Sequence, residues 1–263
     1  MAQHNHALVR PLPALTDPER ALLLRRRGPL RPTAPIARDV LLPDDPALAL
    51  ALAQQLLVRP RMANHSFGLW GYSGDAELGD TLTVQASGIG APSVASVVCD
   101  LATHGAARVV RLGRCRALDP AATTDGPLIV RSALPGDGTS RALGADGALE
   151  PDRALSAALA DAVPEATPAR IASVDSLRTS SPQGISLAGP PRAVALDLET
   201  AALFALAARL GLAAGALLVI SEPETELADD DLARRVLELG AGAARAFAAE
   251  AAQASASETA SLR

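Results

Sequence analysis

Three arginines fall within six residues of the stretch RLGRCRAL at 111–118. Arg111, Arg114 and Arg116 each carry a permanent charge and a planar fork of donors that matches carboxylate and phosphate oxygens. A Gly-containing turn that follows the apolar pair Val109 and Val110 and holds three such groups reads as an anion cradle. A second stretch, SGIGAPS at 87–93, brings Ser87 and Gly88 to the start of a helical pattern. Glycines ahead of a helix N-terminus let backbone N–H groups approach an anion, and they serve plain tight turns equally well. No Cys-x-x-Cys pair or histidine cluster has zinc-ligand spacing, so no metal is expected.

These residues need elements to position them. A strand is expected at 40–43, then a helix at 46–57 opened by Asp45-Pro46. Residues 66–72 and 81–86 read as a strand pair, and the turn at 87–93 opens a helix running to about His104. Strands follow at 108–113, 128–134, 171–174 and 216–221, with helices at 198–210 and 230–251. Strands alternating with helices indicate an α/β domain with a central sheet. Residues 1–35, which include RRRGPLRPTAP, form a Pro/Arg-rich arm with one short helix near 18–25. That arm is either a solvated tail or a segment packing on a neighbouring subunit. The domain proper spans 36–251, and 252–263 read as a disordered tail.

Composition narrows the partners. Of 263 residues, 49% are apolar but only 2% aromatic, so the core must be built from Ala, Val, Leu and Ile. Phe67, Trp70, Tyr72, Phe204 and Phe247 are too few for a base-stacking surface, and the net charge of −5 supplies no field to hold nucleic acid. No apolar run reaches a membrane span, and no secretory leader is recognised. A cytoplasmic protein with a small-molecule ligand is expected.

Four segments in fixed order resemble one known family. DVLLPDDP at 39–46, the long block from SGIGAPS through RLGRCRALDP, DGTS at 137–140 and AVALDLETAALFALAARLGLAAGALLVISE at 193–222 are similar to the motifs of nucleoside phosphorylases, uridine phosphorylases in particular. The resemblance covers 36 to about 250. It implies a single α/β domain with a mixed, partly barrel-like central sheet flanked by helices. It also implies a homo-oligomer (a dimer or hexamer) and phosphorolysis of a nucleoside, with inorganic phosphate as the only co-substrate and no cofactor.

Carried over residue by residue, the resemblance makes Glu199 of DLET the carboxylate that accepts hydrogen bonds from the ribose 2′- and 3′-hydroxyls. The alternative for Glu199 is a carboxylate favoured by a helix N-terminus. Leu198 keeps an apolar platform under the sugar, and Asp197 replaces a longer acid. Glu222 stands where purine-cleaving relatives keep an acid that protonates the base; it is also readable as an exposed loop acid. Arg111 is the expected anion ligand. The phosphate positions otherwise depart from the pattern: Asp44 replaces a glycine, Leu48 an arginine and His65 a second arginine contributed across the dimer. Arg114, Cys115 and Arg116 stand where small residues and a threonine are usual. Arg178 and Gln183 lie in 177–192, where uridine phosphorylases carry a base-reading insertion; here the stretch is short and rich in Ser, Pro and Gly, and it reads equally as a flexible lid or bare loop. Asp44 beside a dianion costs on the order of a few kcal/mol at an intermediate dielectric. Arg114 can therefore pair with Asp44 and fill the phosphate place, the three arginines can form a new fork for a carboxylate or phosphate ester, or Arg116 can point to solvent.

Three functions follow. The first is a pentosyltransferase-like enzyme acting on a nucleoside with a rearranged phosphate site. The second is a hydrolase or biosynthetic enzyme on the same fold that binds an anionic small molecule through Arg111, Arg114 and Arg116. The third is a non-catalytic partner subunit.

Overall fold

The computed structural model describes residues 12–25, 27–118, 126–178, 192–221 and 229–261. The strand series opens with β1 (Asp39–Pro43), β2 (Leu57–Asn64), β3 (Gly71–Ala76), β4 (Thr81–Gln85) and β5 (Arg108–Ala117). It continues with β6 (Leu128–Pro135), β7 (Thr167–Ser173), β8 (Ala195–Asp197) and β9 (Ala213–Ile220). The strands form one mixed sheet in the order β2-β3-β4-β1-β5-β8-β7-β6-β9. A further parallel pairing of β5 with β9 closes β5, β8, β7, β6 and β9 into a five-stranded barrel. The apolar runs of β1, β5 and β9 are continuous rather than alternating, because parallel strands covered on both faces bury both sets of side chains.

Two helical layers cover the sheet. On one side lie α3 (Ala91–Thr103), α4 (Gly138–Ala142) and α6 (Thr200–Leu210); on the other lie α2 (Pro46–Leu56), α5 (Arg153–Ala162) and α7 (Asp229–Ser261). Val94, Leu101, Leu203 and Phe204 belong to the first core, and Leu52, Leu155, Val236 and Phe247 to the second. Local chemistry starts these helices. Asp45 accepts from the Ala47 N–H ahead of Pro46, and Asp152 caps α5 at the Leu155 N–H. Asp137 of DGTS accepts from both the N–H and the hydroxyl of Ser140 at the head of α4.

Several elements differ from the sequence reading. The short helix of the arm, α1, spans Asp17–Leu24. The described part of the arm, 12–25 and 27–35, contacts the chain's own domain: the Leu15 N–H bonds to Arg209 O and Leu30 is only 3% exposed. The strand expected at 66–72 is a 3-10 turn at Ser66–Gly68 followed by β3, while 57–64 forms the edge strand β2. Helix α7 continues as helical backbone to Ser261, into the segment assigned as a disordered tail. The largest change concerns RLGRCRAL, which is a strand rather than a turn. β5 runs on to Ala117 because β9 pairs with it as far as Cys115 and β8 takes over at Arg116 and Ala117.

Candidate active site

The candidate residues gather where the carboxyl ends of the parallel strands β1 and β4 and of the antiparallel strand β8 meet β5 from Arg111 onward. Successive side chains of a strand point to opposite faces. Arg111, Gly113 and Cys115 therefore share one face of β5, and Arg114 and Arg116 lie on the other. This alternation divides the three arginines.

Arg111 is 1% exposed. Its Nη2 donates to Glu199 and its Nη1 lies 3.3 Å from Asp197 Oδ2. The guanidinium lies flat over Gly113, where a Cβ would come within 2.7 Å of Cζ and both terminal nitrogens. Glycine at this position thus makes room for the charge, which explains the Gly in RLG. Burial works against the charge on Arg111, but Glu199, Asp197 and Asp44 outweigh it and hold the group protonated above its ordinary value.

Asp197 is a buried hub. Its Oδ1 accepts from the Ser173 hydroxyl at 2.5 Å, and its Oδ2 accepts from the Thr200 N–H at 3.0 Å and from the Thr200 hydroxyl. The Ser173 Oγ accepts in turn from the Ala201 N–H. Asp197 thereby caps α6 as well as facing Arg111. Glu199 just precedes α6, yet its carboxylate serves another helix. Oε1 accepts from the Gly90 N–H at 2.8 Å, at the N-terminus of α3, while Oε2 accepts from Leu198 N–H at 3.2 Å. Burial pushes the Glu199 carboxyl above the usual carboxylate range, opposed by Arg111 and the Gly90 N–H and aided by Asp197 and Asp44.

The SGIGAPS loop offers fewer free donors than its sequence suggests. The Ser87 N–H bonds to Pro43 O at 2.8 Å and the Gly88 N–H to Asp44 O at 3.1 Å. Gly88 and Gly90 adopt φ of 69° and 92°, a region that other residues rarely enter. The loop is stitched to the end of β1, and Gly90 spends its N–H on Glu199.

Asp44 is 7% exposed, and its Oδ1 has no hydrogen-bond partner among the described residues. Arg111 Nη1 is likewise a buried donor without a hydrogen bond there. Asp44 Oδ2 lies 3.9 Å from Arg114 Nε, but the Arg114 side chain is 45% exposed, so this is a loose, solvent-screened pair. Arg116 neither joins a fork nor points to solvent: its Nη1 donates to Leu177 O at 2.7 Å and ties down the chain just before 179–191. The shared fork of Arg111, Arg114 and Arg116 does not form.

Among the remaining candidates, His65 is exposed beside the Ser66–Gly68 turn. Arg178 is exposed, with its N–H on the Ser176 hydroxyl. Leu198 packs against a small cluster that includes Leu134, Val174 and Leu196. Glu222 and Gln183 lie outside the described residues. Cys115 is buried with its thiol toward Val219 O. Sequence reasoning missed Gly113, Gly90, Ser173 and Thr200. The spacing Asp197-x-x-Thr200 is a readable cap signal; Ser173 has none, since it is brought in from another strand.

The family model for the phosphorylase superfamily matches residues 41–258. The chain is 31% identical to a purine nucleoside phosphorylase DeoD-type of Caldanaerobacter subterraneus subsp. tengcongensis, over 71% of this chain and 83% of that protein. It is 28% identical to the protein of the same name from Oceanobacillus iheyensis, over 71% and 83%, and 29% identical to that from Geobacillus kaustophilus, over 72% and 83%.

Proposed function

The chain belongs to the phosphorylase superfamily, and on that premise we propose that it cleaves the N-glycosidic bond of a nucleoside or nucleoside-like small molecule without holding phosphate as the family does. One observation carries this reading: Asp44 is buried with an Oδ1 that has no hydrogen-bond partner among the described residues, beside an Arg111 already answered by Glu199 and Asp197. The cluster sets two cations, Arg111 and Arg114, against three carboxylates, Asp44, Asp197 and Glu199. A phosphate dianion would enter a site of net negative charge. A sugar that becomes positive as its base departs is suited to the same site.

Glu199 accepts from the sugar hydroxyls, oriented by Arg111 and the Gly90 N–H. Asp44 Oδ1 accepts from a water whose oxygen bonds to the anomeric carbon as the C–N bond breaks. The bond's electron pair leaves with the base nitrogen, which takes a proton from solvent, and the water's proton passes to Asp44. Purine nucleosides come first as substrates because the relatives carry that name; uridine comes second, from the motif resemblance. The substitutions at Asp44, Leu48 and His65 support the altered phosphate place.

Incubation of inosine, adenosine and uridine with the protein, with and without phosphate, tests the reading by chromatography of the free base. Release of base that phosphate does not accelerate is expected. Strictly phosphate-dependent release sinks the rearranged-site reading. No release from any nucleoside sinks the catalytic one and leaves the non-catalytic partner subunit.

A homo-oligomer is part of this proposal. Val58, Met62, Phe67 and Trp70 are exposed along the edge strand β2 and the turn after it, a surface suited to a second copy. Light scattering on a size-exclusion column reads the mass directly, and a monomer rejects this part. Among the described residues no helix is long and apolar enough to cross a membrane; a cytoplasmic site of action is proposed with the nucleoside substrate.

A further inference from the structure

We infer that the cavity between the N-terminal arm and the carboxyl end of α3 is a second ligand site, built for a small phosphate-bearing anion. The cavity measures about 440 Å³, and its wall includes Leu24, Arg25, Arg27, Arg31, Asp100 and His104. That is within the size range of small-molecule pockets. The arm residues at 25–31 supplied no part of the site at the strand ends, yet they hold three described arginines on a concave wall.

Asp100 makes the wall. It is 7% exposed, and its two oxygens accept the N–H groups of Gly28 at 3.0 Å and Leu30 at 2.8 Å. A Cβ at Gly28 would lie 2.5 Å from that carboxylate, so the docking needs glycine there. Among the described residues of the lining the one carboxylate therefore spends both oxygens on the backbone that it anchors.

The arginines are differently placed. The side chains of Arg25 and Arg27 are exposed and make no ion pair or hydrogen bond among the described residues. Arg31 uses Nη1 on Gly28 O at 2.6 Å and Leu30 O at 2.7 Å, which leaves its other nitrogens available. α1 and α3 both end at this cavity, and their carbonyl ends oppose an anion. Three guanidinium groups against one inward-turned carboxylate outweigh them. Leu24, Leu30 and Pro32 supply an apolar wall for the body of the ligand. Planar forks with free donors select phosphate oxygens, which accept bidentate bonds.

Isothermal titration calorimetry with two probes, inorganic pyrophosphate and ADP, tests the site at low and moderate salt. Saturable binding of one probe per chain is expected, weakened by salt. The Arg25→Ser/Arg27→Ser variant should bind at least about tenfold more weakly, with an unchanged thermal midpoint because both side chains are exposed. Arg114→Ser should bind like the unaltered protein. Tighter ADP than pyrophosphate identifies a nucleotide; the reverse identifies free polyphosphate. The proposal is overturned if the double variant binds as tightly as the parent, if Arg114→Ser is the variant that loses binding, or if neither probe saturates below about 5 mM.

Discussion

Arg108 and Arg111 stand three residues apart on β5 and look alike in RVVRLG, yet the molecule treats them differently. Arg108, at the start of the strand, is saturated. Its Nε donates to Asp39 Oδ1 at 2.6 Å and its Nη2 to Asp39 Oδ2, its Nη1 donates to Glu250 at 2.9 Å, and its guanidinium lies 4.9 Å from the Phe247 ring. It pins α7 to the base of the sheet. Arg111, further into the strand, is more deeply buried but less satisfied: among the described residues Nη1 lacks a hydrogen bond, and so does the neighbouring Asp44 Oδ1. A buried ion pair that closes on itself is a staple. One that leaves a buried donor and a buried acceptor without hydrogen bonds among the described residues is what the proposed site rests on.

Arg111→Ala should have the largest effect. It leaves Asp197 and Glu199 buried without their cation and should destabilise the fold by about 3–5 kcal/mol, read from the urea midpoint. A loss below about 1 kcal/mol would remove Arg111 from the centre of this account. Gly113→Ala should come next. Its Cβ displaces the guanidinium at about 1–3 kcal/mol of overpacking, and turnover should fall well beyond the stability loss. Turnover equal to the parent's would show that the Arg111 position does not matter to the reaction. Arg108→Ala should cost about 1–2 kcal/mol, since its pairs are less buried, and the folded protein should keep full turnover. Loss of turnover there would erase the contrast between staple and site.

The smallest expected effect concerns pH. Because Glu199 is held above its ordinary value of 4.5, it charges later than an exposed glutamate as pH rises. The proposed contact of Glu199 with the sugar hydroxyls needs the charged form, so binding should be present above the raised pKa and weaken as pH falls through it. The acid limb of kcat/KM should therefore lie above 4.5 and change in Glu199→Gln. A limb at the ordinary glutamate value would contradict the burial argument.

Much of the scaffold was legible. The cap at Asp45, the strand VLLP and the helix after SGIGAPS are local signals, and each formed within a few residues of its expected bounds. The acids that meet Arg111 were legible through DLET. RLGRCRAL was misread because Gly113 resembles a turn residue when its neighbours are unknown. Its small size serves the Arg111 side chain two residues back instead. β8, three residues long, left no periodic pattern to detect. Asp197 was read as a shortened acid, while its roles as cap of α6 and counter-charge to Arg111 depend on Ser173 and on β5.

The sequence by itself determined the family, the alternation of strands and helices, an aliphatic core with few aromatics, and the charged residues available for chemistry. Composition, capping and periodicity are properties of neighbouring residues, so they can be read along the chain. Only the tertiary structure decided which charges meet. Arg111 faces Glu199 from 88 residues away, Arg108 faces Glu250 from 142, and Arg116 turns to Leu177 from 61. Strand alternation sends Arg111 and Arg114 to opposite faces, and closure of β5 against β8 and β9 selects the partners that each face meets.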